Sequence, residues 1–335
     1  MNCRLTGEDS SAFPGCNAAT RVYGTDITTD IRFGTPSVPA QRSPKLAILR
    51  ALPCATLHDT QDLDLLYESE WKTPVGAPAS FLFALPDGYL LRISCVADFT
   101  IRDAEITVYT AAAHDPRAVE IHLFGAAMAI WLERQGILAL HASALSLCGR
   151  AIAFLSDSGA GKSTLAAALL QSGAALLSDD ITPVEMIEGV PFARPAFPQL
   201  RLWPEEVSHF LGPDVQLDKV HPNEAKLRVP VGPGGFGRFE ARSLPIKRFY
   251  IPQRDDRADI RILPIPRRDA LVEMVRNSFV ARAVMVMGLQ PARLTLLTSI
   301  VKQVPVMRLI YPSDRAALPR VCQAVINDLN EEELC

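Results

Sequence analysis

The first third of the chain alternates short apolar runs with turn residues, a pattern typical of a small β-rich unit. Residues 1–20 are small and polar, and we expect them to form a flexible tail. Within 81–96, two apolar runs flank a Pro-Asp-Gly turn, which predicts a β-hairpin with Gly88 free to adopt a positive φ. We therefore predict a small, mostly β domain over residues 21–112.

From residue 113 onward, helical patterns alternate with short strands. Asp115 followed by Pro116 predicts the N-cap and first turn of a helix. The run 151–155 is apolar at every position, as expected for a strand that is covered on both faces. We therefore predict an α/β catalytic domain over residues 113–335. Its other predicted elements are helices at 119–134, 268–275 and 317–329, and strands at 137–147, 174–177, 246–251 and 260–263.

The segment after the strand 151–155 has the composition of a phosphate-binding loop. It reads SDSGAGKST over 156–164 and precedes a run of strong helix formers. The GxxxxGK[ST] pattern requires a strand before it and a helix after it, and both are predicted. Glycines let the backbone approach a phosphate, whose oxygens the successive N–H groups and the helix N-terminus bind. The predicted nucleotide-binding residues of this loop are Ser158, Gly159, Ala160, Gly161, Lys162, Ser163 and Thr164.

Two side chains of the loop have specific roles in this interpretation. Lys162 is expected to place its ammonium on the β- and γ-phosphates of ATP, and Ser163 to offer a hard oxygen ligand to Mg²⁺. Ser156 stands where the pattern has its first glycine, and we expect the phosphate cradle to be unaffected. A bare Gly-Lys-Ser triplet arises by chance in some chains, but the flanking elements argue against coincidence.

Two adjacent carboxylates follow the strand predicted after the loop helix. Asp179 and Asp180 stand at its carboxyl end, where open α/β sheets bind ligands. One is expected to hold the metal or its water and the other to accept the acceptor's proton, and the sequence leaves open which is which. We include Asp180 among the predicted metal ligands. Adjacent carboxylates raise each other's pKa, which suits a base near neutral pH. The alternative is an ordinary surface turn.

Phosphoryl transfer also needs cations around the transferring group. The predicted cations are Arg194, Arg201, Lys226 and Arg228, of which the last two share one face of an extended segment. The alternative is that all four are surface charges. Glu205 is a candidate third metal ligand, or else an acid in the first turn of a helix. We expect Trp203 to lie in the core.

Composition argues against several other classes. The net charge is −3 over 335 residues, without basic blocks interleaved with aromatics, so no nucleic-acid partner is expected. The Arg-rich stretches 238–257 and 267–276 are predicted to be solvated faces. Seven scattered cysteines without a CxxC pair argue against zinc and suit a reducing cytoplasm. No segment has the pattern of a signal peptide or membrane span. We therefore expect a cytoplasmic protein without membrane contact.

These motifs together resemble one family. The order His141-Ala142-Ser143-Ala144, SDSGAGKST, Gly173 and LLSDD is similar to that of the HPr kinase/phosphorylase catalytic domain, over roughly residues 130–230. The resemblance implies a P-loop kinase core related to phosphoenolpyruvate carboxykinase. It implies serine phosphorylation with ATP and Mg²⁺, with the aspartate pair as base and metal partner. It also implies that His141 lies near the phosphates, whereas the residue alone suggests a core histidine.

The chain departs from that family after the aspartates. The glycine- and arginine-containing segment of HPr kinases is not found, and 197–205 reads FPQLRLWPE. This segment resembles HPr-kinase-like proteins of ribosomal-peptide biosynthesis, including lasso-peptide kinases that phosphorylate a precursor's serine. The expected acceptor is therefore a serine-bearing peptide or protein other than HPr. HPr kinases are hexameric, and the sequence leaves a homo-oligomer of this chain open.

Three other interpretations remain at this stage. A transporter-type or motor ATPase would add a long apolar strand ending in Asp-Glu and an LSGGQ motif, and the sequence has neither. A nucleotide-binding regulator or ATPase without phosphoryl transfer fits the same loop. So does a kinase for a small metabolite, since nothing in the sequence identifies the acceptor.

Overall fold

The computed structural model describes residues 18–51, 57–111, 115–157, 159, 161–221, 224–257 and 259–330. Within them the fold is mixed α/β, as predicted, with two large sheets and a two-stranded ribbon. The first strand begins at Ala18, inside the segment predicted as a tail, and the rest of that segment lies outside the described residues. The large sheets fall on either side of residue 113, and the division into two domains stays a prediction.

Nine strands form the first sheet, in the order β3-β1-β2-β4-β9-β8-β7-β6-β5. The contacts of β4 with β2 and with β9 are parallel, and the other pairs are antiparallel. Their bounds are β1 Ala18–Val22, β2 Thr25–Thr29, β3 Val38–Pro39, β4 Leu46–Arg50, β5 Leu65–Glu68, β6 Ser80–Leu85, β7 Gly88–Ile93, β8 Ala97–Ile101 and β9 Glu105–Thr110.

The hairpin predicted around the Pro-Asp-Gly turn is present, but its glycine serves another purpose. Strands β6 and β7 pair so that Leu85 lies opposite Gly88. Gly88 is not among the residues with positive φ. A Cβ there would stand 2.2 Å from the carbonyl oxygen of Ile101 on β8. Close packing between strands, rather than turn geometry, therefore requires this glycine.

The second sheet and the ribbon contain the remaining strands. The sheet runs β10-β14-β15-β19-β12-β11-β13-β18, with β21 beside β19 and β20 beside β21, while β16 and β17 form the ribbon. Their bounds are β10 Leu138–Leu140, β11 Ala142–Leu147, β12 Arg150–Leu155, β13 Ala175–Ser178, β14 Thr182–Ile187, β15 Val190–Ala193, β16 Gln199–Leu202, β17 Leu227–Pro230, β18 Arg238–Phe239, β19 Leu244–Arg254, β20 Arg261–Pro264 and β21 Val306–Tyr311.

The helices follow the predicted pattern in part. Asp115 caps α1 by accepting a hydrogen bond from the Arg117 backbone, and Pro116 opens the helix, as predicted. Helices α4, α6 and α7 have no counterpart among the elements predicted from pattern, although a helix after Pro204 was one of two alternatives for Glu205. The bounds are α1 Pro116–His122, α2 Met128–Arg134, α3 Lys162–Gln171, α4 Pro204–Leu211, α5 Arg267–Arg276, α6 Ala281–Val286, α7 Gln290–Gln303 and α8 Leu318–Asn330.

Two predicted elements are interrupted. A π-helical segment, Leu123–Ala127, joins α1 to α2, with Gly125 outside helical φ/ψ values. The single strand predicted over 137–147 is broken at His141, which separates β10 from β11. The His141 backbone N–H instead donates to the carbonyl of Asn277, at 2.7 Å. This outside partner takes His141 out of the strand ladder.

Strand directions bring four carboxyl ends to one edge of the second sheet. Strands β12, β19 and β21 are mutually parallel. Strand β11 is antiparallel to both β12 and β13, so these two also run the same way. The chain leaves β12 for the predicted phosphate loop and β13 for Asp179 and Asp180. His141 lies just before β11, whose amino end is at that same edge.

Both faces of this sheet are covered, which explains why β12 is apolar at every buried position. Ile152 and Phe154 pack into a cluster that includes α3 and α8. Ala151, Ala153 and Leu155 alternate with them and pack into a second cluster that includes α5 and α7. Among the described helices, none combines the length and the apolar composition required to cross a bilayer.

Candidate functional site

The predicted phosphate loop connects β12 to α3 as the motif requires. Gly159 and Gly161 have φ values of +85° and +94°, which disfavour residues with a Cβ. Gly161 is the N-cap of α3, so the first N–H groups of the helix have no partner within it. A Cβ on Gly161 would stand 2.6 Å from the Arg254 guanidinium. The predicted binding residues Ser158 and Ala160 lie outside the described residues.

Lys162 is buried beneath this loop. Its ammonium donates hydrogen bonds to the backbone carbonyls of Ser156 and Asp157, the second at 3.1 Å. Burial lowers the pKa of Lys162, although the carboxylates of Asp179 and Asp180 act in the opposite direction. The ammonium is therefore incompletely compensated, and an anion at the loop would supply the missing charge.

The Asp179 carboxylate is held by three donors from three elements. Its Oδ1 accepts from the hydroxyls of Ser143 on β11, at 2.5 Å, and Ser163 on α3, at 3.1 Å. Its Oδ2 accepts from the backbone N–H of Arg201 on β16, at 2.9 Å. Asp179 is buried, so these bonds fix both oxygens in place. The carboxylate therefore lies beside Ser163, the predicted magnesium ligand.

Asp180 faces the solvent more than Asp179 does. Its φ of +72° lies in the left-handed region, which residues other than glycine adopt rarely, and its side chain is 27% exposed, against 9% for Asp179. Its oxygens lie 2.7 Å from the Arg201 guanidinium and 3.5 Å from Nε2 of His141. His141 therefore lies beside Asp180, while its position near bound phosphates stays a prediction.

The expectation of a raised pKa is wrong for Asp180. Burial by itself would raise the pKa of this carboxyl, but Arg201 and His141 outweigh it and hold the pKa well below its ordinary value. The sequence argument considered only the neighbouring carboxylate. It did not include Arg201, which approaches from β16, 21 positions further along the chain.

These groups surround a cavity of about 170 Å³, which we call the phosphate cavity. His141, Lys162, both aspartates and Arg201 line it, together with Gly159, Gly161, Ser163, Thr164 and Lys226. Trp203 also lines it and is 46% exposed, which corrects the expectation that it lies in the core. The Lys226 ammonium stands 5.6 Å from the centre of its ring, a cation–π contact at the rim.

Three predicted site residues lie elsewhere. Arg194 is buried and does not line the phosphate cavity, because its guanidinium contacts Thr25 at 2.8 Å and Glu185 at 3.6 Å. Arg228 does not line the phosphate cavity, because its guanidinium pairs with the Glu120 carboxylate at 2.8 Å. Glu205 is exposed on α4 and is absent from the cavity lining, which favours the helix alternative. One position further along the helix, about 100° around it, Glu206 does line the cavity.

Sequence reasoning missed three residues that the fold brings to this site. Glu206 and Arg254 line the cavity, and the buried Ser143 donates a hydrogen bond to Asp179. Arg254 falls in a stretch predicted to be a solvated face, but it ends β19, the parallel neighbour of β12, and so reaches the loop. A charged residue at the end of a long apolar strand was an available signal. Ser143 belongs to the motif around His141, but nothing in the sequence assigns it a role, and nothing distinguishes Glu206 from other acids.

The carboxyl edge of the second sheet offers oxygen ligands of the type that Mg²⁺ prefers, but only a few of them. Ser163 and Asp179 present hard oxygens side by side, on the loop helix and on the neighbouring strand end. Among the described residues, no three His, Cys, Asp or Glu side chains form a metal-binding group.

Comparisons with known proteins give little further information. No family model matches the sequence, and no curated protein matches it. Among solved structures, the chain is similar to the Hpr(Ser) kinase/phosphatase from Coxiella burnetii, with 12% sequence identity and a TM-score of 0.33. The matched region covers 58% of this chain and 92% of that one.

Proposed function

We propose that the protein is a kinase that binds ATP with Mg²⁺ at the phosphate cavity and transfers the γ-phosphoryl group to a serine hydroxyl. The proposed acceptor is a peptide or protein, such as the precursor of a ribosomal, lasso-type peptide. One observation carries the proposal. The loop ammonium, a hydroxyl–carboxylate pair and an arginine–carboxylate pair converge around one cavity at one sheet edge.

Lys162 is the residue proposed to bind the β- and γ-phosphates. Its ammonium rests on two carbonyl oxygens, Ser156 and Asp157, from which it can turn towards an anion in the cavity. The helix N-terminus at Gly161 adds N–H donors on the same side. Arg201 and Lys226 supply further positive charge where negative charge spreads over the transferring group.

Ser163 and Asp179 are proposed to hold the metal. When bound, Mg²⁺ neutralises charge on the phosphate oxygens and orients them. The role of the chain is to keep the Ser163 hydroxyl and the Asp179 carboxylate adjacent. Ser143 and the Arg201 backbone fix that carboxylate from the other side. This pairing favours Asp179 over Asp180 for the metal.

Asp180 is proposed to orient the acceptor hydroxyl. Because its pKa is held low, it is ionised at neutral pH and can accept a hydrogen bond from the serine. As the serine oxygen bonds to the γ-phosphorus, the bond to the leaving ADP oxygen breaks and the hydroxyl proton passes to Asp180. A loose transition state needs little base strength, so a carboxylate with a low pKa suffices.

The test is phosphoryl transfer to peptides encoded by genes beside this one. The protein is incubated with those peptides, ATP and Mg²⁺, and phosphoserine is located by mass spectrometry. Lys162→Met should abolish the product, because the phosphates lose their buried cation. Lys302→Met makes the same substitution on an exposed part of α7 and should have no effect.

The same experiment separates the alternatives. ADP release without a phosphorylated peptide would identify an ATPase or a nucleotide-dependent regulator. Phosphate recovered on a small alcohol would identify a metabolite kinase. An active Lys162→Met variant would refute the assignment of the loop itself.

A further inference from the structure

A second and larger cavity is related to the phosphate cavity through one cross-strand pair of the β16–β17 ribbon, and the two share no lining residue. It has a volume of about 410 Å³ and lies between the first sheet and helix α1, and we call it the neighbouring cavity. Its apolar walls come from the loop after β2, from β9, from α1 and from the start of the π-helical segment that follows α1. They include Ile31, Phe33, Val108, Val119 and Leu123, of which the last three are buried.

The ribbon of β16 and β17 separates the two cavities by one pair of side chains. Arg201 lines the phosphate cavity and Arg228 lines the neighbouring cavity. The two residues lie directly opposite each other in the antiparallel register. Side chains at such positions start roughly 5 Å apart and point to the same face of the ribbon. One bound peptide can therefore span from one cavity to the other.

A buried carboxylate anchors the wall of the neighbouring cavity. Glu120 on α1 accepts hydrogen bonds from the backbone N–H groups of Gly34 and Thr35, each at 2.7 Å. It also pairs with the Arg228 guanidinium at 2.8 Å. The segment that carries Arg32 and Phe33 is thus tied to β17. These contacts within the chain hold the cavity wall in one arrangement, which lowers the entropic cost of binding.

The charges that line the neighbouring cavity are unbalanced. Four arginines and two acids line it, giving a formal surplus of two positive charges, four minus two. Glu120 neutralises Arg228, and Asp218 lies 3.7 Å from Arg117. The remaining two, Arg32 and Arg50, are exposed. Within the described part of the chain, their guanidinium groups have no hydrogen-bond or ion-pair partner. An apolar cavity with unpaired cations at its rim suits a ligand that is both apolar and acidic.

We propose that the neighbouring cavity docks the acceptor as an acidic peptide segment. An apolar side chain of the peptide enters the cavity, and flanking Asp or Glu residues meet Arg32 and Arg50. The serine then lies across the ribbon beside Asp180. This inference rests on the proposed kinase function and adds the substrate class and its docking surface.

The test uses degenerate serine-centred peptides in which each flanking position is fixed in turn as Asp, Glu, Lys or an aliphatic residue. Phosphate transfer to each pool is measured with ATP and Mg²⁺, and retention of fluorescently labelled pools on immobilised protein is measured without ATP. The variant Arg32→Glu/Arg50→Glu reverses the rim charges. The variant Arg268→Glu/Arg320→Glu makes the same change in net charge at exposed positions on α5 and α8.

The native protein should select acidic and aliphatic residues in both assays. Reversal of the rim should lower transfer to acidic pools roughly tenfold and raise transfer to lysine pools, because each rim contact contributes modestly. The Arg268→Glu/Arg320→Glu control should keep the native selectivity. Thermal unfolding midpoints check that both variants fold.

The outcomes distinguish this proposal from the proposed function. Transfer without acidic selectivity, or selectivity that survives reversal of the rim, would overturn docking while the kinase assignment stands. Acid-selective retention that depends on Arg32 and Arg50, without transfer to any pool, would support docking and overturn the kinase assignment. Neither transfer nor retention would overturn both.

Discussion

Replacing Asp179 by asparagine or by alanine should have very different consequences for the fold. The asparagine amide can turn so that its oxygen accepts from the Arg201 N–H and its nitrogen donates to the oxygens of Ser143 and Ser163. One hydroxyl hydrogen, that of the buried Ser143, then lacks a partner. Alanine leaves both the Ser143 hydroxyl and the Arg201 N–H unpaired.

The difference in stability between the two variants follows from the number of buried donors that each leaves without a partner. A buried donor without a partner costs about 1–3 kcal/mol. Asp179→Asn should therefore destabilise the site by about 1–3 kcal/mol, and Asp179→Ala by about 2–6 kcal/mol. The second unpaired donor of the alanine variant is the Arg201 amide. Its local protection against exchange should fall about 5- to 150-fold in that variant alone.

The assay is hydrogen–deuterium exchange of fragments that contain Arg201, combined with transfer kinetics. In Asp179→Asn the backbone N–H of Arg201 should stay protected against exchange. Phosphoryl transfer should fall about 100-fold, because the variant loses the carboxylate charge next to the metal, which is worth roughly 3 kcal/mol. More Mg²⁺ should be needed for half-maximal rate. Asp62→Asn, at an exposed position, is the control.

Two results would refute this reasoning. If the Arg201 backbone N–H exchanges as fast in Asp179→Asn as in Asp179→Ala, the asparagine side chain does not accept a hydrogen bond from it. If Asp179→Asn retains normal transfer and Mg²⁺ dependence, Asp179 does not belong to the metal side of the site.

The other predictions concern the loop, the second aspartate and the wall of the neighbouring cavity. Lys162→Met should fold normally, because the buried ammonium that it removes is incompletely compensated by neighbouring charges. The variant should lose nucleotide binding in a fluorescence titration, because that ammonium is the proposed phosphate ligand. Gly161→Ala should weaken nucleotide affinity roughly tenfold in that titration, since a φ of +94° costs a residue with a Cβ about 1–2 kcal/mol. Asp180→Asn should keep its left-handed backbone, which asparagine tolerates, and should lower transfer about 100-fold. The folded-state pKa of Asp180 lies below its ordinary 3.8, so its stabilising effect is present above that value and is lost as the pH falls through the folded-state pKa. The gap in thermal midpoint between the native protein and Asp180→Asn should therefore be constant above about pH 5 and narrow as the pH is lowered below 3.8. Glu120→Ala should destabilise the fold by about 3–5 kcal/mol in urea unfolding, because Arg228 loses its buried partner.

Each of these changes has a control and a contrary result. Lys302→Met and Arg117→Ala, both exposed, should leave nucleotide binding and stability nearly unchanged. Native nucleotide affinity in Gly161→Ala would show that the loop does not need its left-handed residue. A midpoint gap for Asp180→Asn that widens in acid would mean that the carboxyl pKa is raised rather than lowered. A Glu120→Ala protein as stable as Arg117→Ala would show that the carboxylate does not anchor the wall.

Several elements could be predicted because their causes lie close together in the chain. The loop 156–164 follows a strand and precedes a helix, and these neighbours alone indicate its shape. Asp115 and Pro116 start α1 through local capping. The apolar run of β12 indicates a strand covered on both faces, as observed. Helix α7 escaped prediction because Arg293 is buried on it in an ion pair with Glu133, so its core face does not read as apolar.

The sequence by itself determined the loop, its lysine and serine, and the position of two aspartates at a strand end. These depend on residues within a few positions of one another. Only the tertiary structure decided what each aspartate faces, because β11 lies between β12 and β13 and delivers Ser143 to Asp179. The tertiary structure also brought Arg254 to the loop and drew Arg228 to Glu120. Such contacts depend on strand order and charge pairing across distant segments, which local patterns along a chain do not encode.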